Sequence, residues 1–292
     1  MQRKIYTYIN FIVIILAAVL FAVTFNSGLS SFSGCHIKSV IAVILISVFI
    51  NLIKMMRLYL IIYGKGMGFA DHIKECSKSV AVSCILPLKL GEIFRMYCYG
   101  FKLGDMLSGI VYVIVDRFYD TLGLVAVMVI TAFVFGLKTS VIAYLLLMFL
   151  ILVIVMYFVY PGLSNYWKHF LLSSVASKRK LYMLSLIEHI NGVYEKSKEV
   201  INGRGVILFV ISVVSWIVES TGIILFSTDA EKINLMNITE NVSEKINSYL
   251  NGTLMIEQSD YAARYVFVSV IVMIVVYFLY KLFGVKKVFL KK

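Results

Sequence analysis

Charged residues and prolines are scarce in this 292-residue sequence. Asp, Glu, Lys and Arg make up 15% of the chain and hydrophobic residues 61%, whereas soluble domains are about a quarter charged and about half apolar. A water-soluble fold is excluded, because its interior could not bury so much apolar side chain. With only two prolines to interrupt them, the apolar residues form runs close to the ~20 residues that span a bilayer as a helix. We therefore expect a single membrane domain covering residues 1–292.

Motifs for catalysis and cofactor binding are also missing. The four cysteines include no CxxC pair and no set with zinc-ligand spacing, so neither a disulfide framework nor a metal site is indicated. There is no nucleotide-binding loop and no Ser/His/Asp arrangement, and the chain has four histidines. We expect no cofactor, no metal and no soluble catalytic domain, so a transporter is favoured over an enzyme.

The net charge of +12 would suggest nucleic acid as a partner of a soluble protein. Here Lys and Arg lie beside the apolar runs, where they retain loops in the cytoplasm and contact anionic headgroups. Membrane lipids are therefore the expected partners, and nucleic acid is not.

Six apolar runs are long enough to cross the bilayer, and they lack the alternation of barrel strands. The predicted spans are Ile5–Phe25, Val40–Ile62, Tyr112–Phe135, Ser140–Tyr160, Val206–Phe226 and Tyr265–Phe283. The predicted fold is all-α: a polytopic helical membrane protein with about six transmembrane helices plus a re-entrant helical hairpin.

The distribution of charge predicts the orientation of the spans. Segment 161–204 carries seven Lys or Arg and includes a stretch, Leu181–Ile201, with the apolar spacing of an amphipathic interfacial helix. Residues 228–262 carry six acids and two lysines. By the positive-inside rule, segment 161–204 and both termini are cytoplasmic, and 228–262 is an extracytoplasmic loop. We expect a multi-pass protein of the plasma membrane.

The orientations alternate only if Val80–Tyr99 does not cross fully, because Lys74 and Lys78 precede it and Lys102 follows it. Its apolar part is too short to span, and Pro87 and Gly91 bracket a polar break. These features predict a re-entrant hairpin that enters from the inner leaflet, since broken backbone at membrane depth must be surrounded by protein or a water-filled cavity. The alternative is a helix lying flat on the inner surface.

Ionisable side chains at membrane depth cost roughly 2.5–3.5 kcal/mol each and are therefore candidate site residues. The candidates are Arg57, Glu92, Arg95, Asp116, Arg117, Asp120 and Glu219, the last one turn after Trp216. One interpretation is structural: opposite charges hold helices together, and Arg57 reaches the headgroups. The other is a polar cavity open to the cytoplasm, where the arginines bind a lipid phosphate and the acids orient them.

The motif Pro87-x-x-x-Gly91-Glu92-x-x-Arg95, followed by Arg117-x-x-Asp120, resembles the lysylphosphatidylglycerol synthase transmembrane-region family. Arg57 and the helix with Ser215, Trp216 and Glu219 are also similar to family features, and the likeness runs from Ile41 to about Phe226. The resemblance implies integral membrane proteins that translocate or help assemble lipids and lipid-linked glycans. The best-known members flip aminoacylated phospholipid and carry a cytosolic aminoacyl-transfer domain. We see no such domain in these residues and expect no lipid aminoacylation by this chain alone.

The sequence departs from the family pattern in its second half. Members usually have a Gly-rich Pro-Gly-Gly-x-Gly-x-x-Glu segment that mirrors the first hairpin, and the acidic segment 228–262 stands in its place. If that segment completes the transport path, this chain either needs a partner or has lost transport. The partner would be a second copy or another protein of envelope biosynthesis.

The leading hypothesis is a protein that binds and translocates a phospholipid or lipid-linked saccharide during cell-envelope lipid or glycan assembly. Anionic phospholipid or a lipid-linked glycan is its expected ligand. One alternative is a membrane-embedded transferase that uses the Asp116/Asp120 pair. The other is a non-catalytic scaffold that docks partners on its outer loop.

Overall fold

A computed structural model describes residues 2–33, 37–87, 89–135, 141–173, 177–226 and 260–289. Within these ranges the regular structure is helical and contains no strand, which confirms the predicted all-α, polytopic membrane fold. The described helices are α1 (Gln2–Ser30), α2 (Ile37–Ile62), α3 (Phe69–Ile85), α4 (Leu90–Leu103), α5 (Met106–Phe135), α6 (Val141–Leu172), α7 (Lys178–Phe226) and α8 (Asp260–Phe289). Most of the predicted outer loop 228–262 lies outside the described residues.

Five described helices (α1, α2, α6, α7 and α8) are long and apolar enough to cross a membrane. The sixth predicted span, Tyr112–Phe135, lies in α5, which has 30 residues but carries Asp116, Arg117 and Asp120 in its first half. Apart from Ser140, which is outside the described residues, every residue of the six predicted spans is helical.

Helix α6 does not end where the predicted span ends. Pro161 lies inside it, and the helix continues to Leu172. On either side of the proline, Tyr160 Oη and Ser164 Oγ donate to Asn191 Oδ1 of α7 at 2.7 and 2.8 Å. These bonds fasten the C-terminal half of α6 to α7, and the helix continues past the proline.

Helix α7 is kinked. Asn202 and Gly203 leave the helical conformation, and Gly203 has φ +117°, a value that favours glycine. The kink separates the predicted amphipathic stretch Leu181–Ile201 from the predicted span Val206–Phe226. Just after it, Arg204 Nη1 donates to the carbonyls of Leu60 and Tyr63 at the end of α2, at 2.6 and 3.0 Å. The break in α7 is thereby attached to the last turn of α2.

Helices α3 and α4 form a hairpin whose arms are too short to span a bilayer, about 25 and 21 Å at 1.5 Å per residue. The turn lies at Leu86–Lys89, and Lys89 has a left-handed conformation with φ 59°. Helix α3 packs against α4 and α8, and α4 packs against α5. The break occurs at Pro87 as predicted. Gly91, however, belongs to the first turn of α4, where its lack of a side chain lets α4 contact Ser83 of α3.

The core lies where α2, α5 and α7 pack on one another and on the hairpin. Leu58, Tyr99, Val113 and Leu208, from four different helices, are fully buried in it. In contrast, α1 and α6 expose large apolar side chains such as Phe11 and Phe158. Exposed apolar faces of this kind suit helices that contact lipid tails.

Candidate functional site

Arg57 on α2 is the most deeply buried of the predicted site residues that carry positive charge, with 1% of its side chain exposed. Its Nε donates to Asp116 Oδ1 at 2.8 Å, and its Nη1 donates to Asp120 Oδ1 at 2.7 Å and to Ser212 Oγ at 3.0 Å. Two carboxylates four residues apart on α5 thus share one guanidinium. The interpretation that Arg57 reaches the headgroups is wrong.

Arg95 on α4 supplies a second cation to Asp116. Its Nη2 lies 3.4 Å from Asp116 Oδ2, and its Nη1 lies 3.8 Å from Oε2 of Glu92, one turn earlier on the same helix. Glu92 and Arg95 pair along α4, as their i,i+3 spacing allows. This contact is longer than the contact of Arg95 with Asp116 on α5. The carboxylate of Asp116 is consequently held between two arginines from different helices.

Arg117 completes the arrangement. It pairs with Glu92 Oε1, and its Nη1 lies 3.6 Å from Asp120 Oδ2. The six groups form a closed cycle in which positive and negative charges alternate, which we call the charge ring. In order, its members are Arg57, Asp116, Arg95, Glu92, Arg117 and Asp120.

Alternation makes the charge ring neutral as a unit, with three guanidinium and three carboxylate groups. Neutrality explains how it can lie among buried helices, because each desolvated charge has two neighbours of opposite sign. The ring is not uniformly buried. The Arg117 side chain is 42% exposed, so the ring opens to its surroundings at the Arg117 edge.

Some polar atoms of the charge ring have spare hydrogen-bonding capacity. Arg95 Nε, Arg117 Nε and Glu92 Oε2 are buried and lack a hydrogen-bond partner within the described residues. A guanidinium can donate five N–H bonds, so Arg95 and Arg117 retain donors for additional oxygen atoms. Both arginines that carry these donors pair with Glu92, which lies on α4 of the hairpin.

Glu219, which has no charged neighbour on its own helix, binds Lys54 of α2. The Lys54 Nζ lies 2.8 Å from Glu219 Oε2 and 5.4 Å from the centre of the Trp216 ring. Trp216 also donates its Nε1–H to the carbonyl of Asp120 at 2.9 Å. Trp216 therefore connects the Lys54–Glu219 pair to the charge ring. Sequence reasoning missed Lys54, although its position three residues before Arg57 places it on the same face of α2.

A second polar cluster was also missed. Lys78, predicted to come just before the hairpin segment Val80–Tyr99, lies inside α3 and is buried. It donates to Asn10 Oδ1 at 2.7 Å and Tyr6 Oη at 3.1 Å and pairs with Glu75. The i,i+3 spacing of Glu75 and Lys78 was the signal available. The cluster joins α1 to α3 of the hairpin.

Asp105 caps the N-terminus of α5 and joins it to α7. Its carboxylate accepts from the backbone N–H of Leu107 at 3.1 Å, from Ser108 Oγ at 2.6 Å and from Lys196 Nζ at 2.5 Å. The hydrogen bond from Lys196 is the largest cause that lowers the pKa of Asp105, to about 2. The ionised form is the one that the folded protein stabilises.

Acid should therefore weaken this junction. A carboxylate whose pKa is depressed on folding contributes stability above its unfolded value of about 4, and the contribution disappears as the pH falls to about 2. Asp105→Asn keeps a capping side chain but cannot titrate, so we expect its melting temperature in detergent to fall less between pH 5 and pH 3 than that of the parent. Equal falls for the two proteins would contradict this assignment.

Within the described part of the chain, no group of three or more His, Cys, Asp or Glu side chains could hold a metal ion. The arrangement that the structure offers is instead a set of arginines whose remaining donors suit oxygen-rich anions.

A family model described as "Lysylphosphatidylglycerol synthase TM region" matches residues 9–229. The matched region includes all six members of the charge ring together with Lys54, Trp216 and Glu219. A search of curated proteins and a search of solved structures gave no match.

Proposed function

The chain belongs to the lysylphosphatidylglycerol synthase transmembrane-region family, whose members are membrane proteins of lipid and envelope biology, and from this premise we propose that it binds and translocates a phosphate-bearing lipid. The lipid would be a phospholipid or a lipid-linked saccharide used in cell-envelope lipid or glycan assembly. The observation that carries the proposal is the charge ring, which has one exposed arginine and unpartnered donors beside it.

A lipid phosphate would enter at the Arg117 edge. Arg117 is the most exposed ring member, and its pairing with Glu92 is the contact that an incoming phosphate could replace. Glu92 also has an oxygen that is weakly held, since its Oε2 lies 3.8 Å from Arg95 and has no hydrogen bond within the described residues. Phosphate oxygens would then accept from Arg117 and Arg95 in the bidentate geometry that guanidinium groups favour.

We place this edge toward the cytoplasm. The basic segment 161–204 and both termini are expected inside, and the hairpin that carries Glu92 and Arg95 would enter from the inner leaflet. The headgroup would move through a polar environment while the acyl chains stay in the bilayer. This arrangement avoids most of the cost of moving a charge through hydrocarbon.

The arrangement of the acids argues against the transferase alternative. A general base needs a carboxylate with a free oxygen near the reacting group. Both oxygens of Asp116 contact arginines, and so do both oxygens of Asp120. The ring acids therefore serve better to orient the arginines than to take a proton.

The test is lipid translocation in liposomes that contain fluorescent phosphatidylglycerol, followed by chemical quenching of the outer leaflet. We expect Arg117→Gln to slow translocation by about tenfold or more, because one hydrogen bond to a charged group contributes about 1.5–3 kcal/mol. Arg117 is the least buried ring member, with 42% of its side chain exposed, and Gln keeps a polar side chain beside Glu92, so the variant should still fold.

Arg179→Gln is the matched control, since it removes an exposed arginine near the start of α7, and it should leave the rate unchanged. The proposal fails if Arg117→Gln and Arg95→Ala both translocate lipid as fast as the parent.

A further inference from the structure

A stripe of polar residues continues from the charge ring along α2. Ser47, Asn51, Lys54 and Arg57 are spaced by four, three and three residues, which places them on one face of the helix. All but Lys54 are buried. At 1.5 Å per residue the stripe is about 15 Å long, which is half the ~30 Å hydrocarbon thickness of a bilayer.

A second stripe on α7 faces the first. Ser212, Ser215 and Glu219 follow the same helical spacing, and all three have 0% exposure. The stripes meet at two points: Arg57 Nη1 donates to Ser212 Oγ at 3.0 Å, and Lys54 Nζ donates to Glu219 Oε2 at 2.8 Å. Beyond the ring, the α2–α7 interface therefore contains a second polar contact beside apolar packing that includes Ile50 and Trp216.

Two hydroxyls in these stripes have no hydrogen-bond partner within the described residues, Ser47 Oγ and Ser215 Oγ. A buried hydroxyl without a partner is unfavourable, and alanine would satisfy a purely structural helix contact better. At the far end Asn51 Nδ2 donates to Ser269 Oγ of α8 at 3.0 Å, so the polar surface also extends to α8.

Lys54 differs from its neighbours in being accessible, with 25% of its side chain exposed beside a fully buried Glu219. Its ammonium is the next cation after Arg57, about 4.5 Å further along the helix axis. A phosphate that leaves the arginines would therefore find Lys54 as the adjacent positive charge.

We propose that the facing stripes of α2 and α7 are the track along which the lipid headgroup crosses, and that Lys54 is a second phosphate-binding position on it. This inference rests on the proposed function. At Lys54 the phosphate replaces Glu219 as counter-ion and accepts from the Ser215 hydroxyl, and the Ser47 hydroxyl, about 10 Å further along α2, donates to it at a later point on the track. The ligand chemistry is a phosphate group attached to a lipid.

Two double variants test the track in the same liposome assay with phosphatidylglycerol. Lys54→Gln/Glu219→Gln removes both charges together and leaves neither residue as an unpaired ion. We expect it to slow translocation by about tenfold, the effect of losing one charged contact in the rate-limiting step. The matched control is Lys65→Gln/Glu199→Gln, which neutralises a peripheral pair between the turn after α2 and α7 and should translocate at the parental rate.

Ser47→Ala/Ser215→Ala separates transport from folding. If the hydroxyls are only part of the packing, removing them should leave the translocation rate unchanged and maintain or raise the melting temperature. If they line the track, translocation should slow severalfold at an unchanged or higher melting temperature. Inorganic phosphate at the concentration of the lipid should not slow translocation, because the acyl chains hold the headgroup at the bilayer whereas the free ion must bind from water. Strong inhibition at that concentration would overturn the assignment of Lys54 to a lipid phosphate.

Parental rates for both double variants, with Arg117→Gln still slow, would overturn the track and leave the proposed function intact. A parent protein that moves no lipid would overturn both.

Discussion

Arg57→Met is expected to destabilise the protein by about 3–5 kcal/mol, the usual cost of removing one partner from a buried ion pair. The substitution retains most of the side-chain volume but leaves Asp116 and Asp120, which share the guanidinium, without their closest cation. The free energy of unfolding can be measured in mixed detergent micelles by titration with a denaturing detergent.

Lys65→Met provides the comparison for Arg57→Met. It also removes a cation that binds α7, here from the turn after α2, but its partner Glu199 is 59% exposed, and exposed pairs contribute about 0–1 kcal/mol. Equal losses for the two variants would mean that the charge ring is not the buried unit described here.

Gly91→Ala should be the second most damaging substitution, at about 3 kcal/mol. A methyl group at position 91 would lie 2.7 Å from Ser83 Oγ and would overlap the Ser83 Cα. Because the overlapping atom belongs to the backbone, no rotation of a side chain relieves the contact, and the arms of the hairpin must separate. Overpacking of this kind typically costs 1–3 kcal/mol. Separation would also shift Glu92, which follows immediately in the chain.

Gly162→Ala is the matched control for the hairpin. Gly162 is helical, and a methyl group there would meet no atom within 4 Å. Helix propensity alone would make that variant about 1 kcal/mol more stable than the parent. Melting temperatures in detergent would compare the two variants, and an unaffected Gly91→Ala protein would contradict the close crossing of α3 and α4.

The sequence predicts the helices well because their signal is local. A run of apolar residues specifies a spanning helix regardless of its neighbours. Pro87, with Gly91 four residues later, marks the break between the two arms of the hairpin. Pro161 is the exception. It lies inside α6, since Tyr160 and Ser164 bind Asn191 across the interruption, and such a contact with another helix has no signature in the run itself.

The members of the charge ring were identifiable because charges at membrane depth are rare, but their pairing was not. Spacing along one helix suggests Glu92 with Arg95 and Arg117 with Asp120, and both contacts exist. The ring is instead closed by contacts between helices, such as those of Arg57 with Asp116 and Asp120 of α5 at 2.8 and 2.7 Å. Which helix faces which depends on rotation about each helix axis, and the sequence of a single chain does not contain that information.

Lys54 shows the same limit from another direction. Lys54 shares a face of α2 with Arg57, but no acid lies three or four residues from it on that helix. Spacing along α2 therefore predicts no partner for it. Its role becomes apparent only when α7 brings Glu219 to within 2.8 Å. Likewise Lys78 resembles a loop lysine in the sequence, and only the packing of α1 shows that it is buried.

Closure of the six charges into a cycle restricts how this site can vary among related sequences. Exchanging Arg57 with Asp116 would put an acid beside Asp120 and a base beside Arg95, so a local exchange of sign creates two repulsions for every attraction that it preserves. The polarity can be inverted only if all six positions change together. An inversion of charge at any one position should therefore be accompanied by inversion at the other five, although these lie on other helices or one turn away.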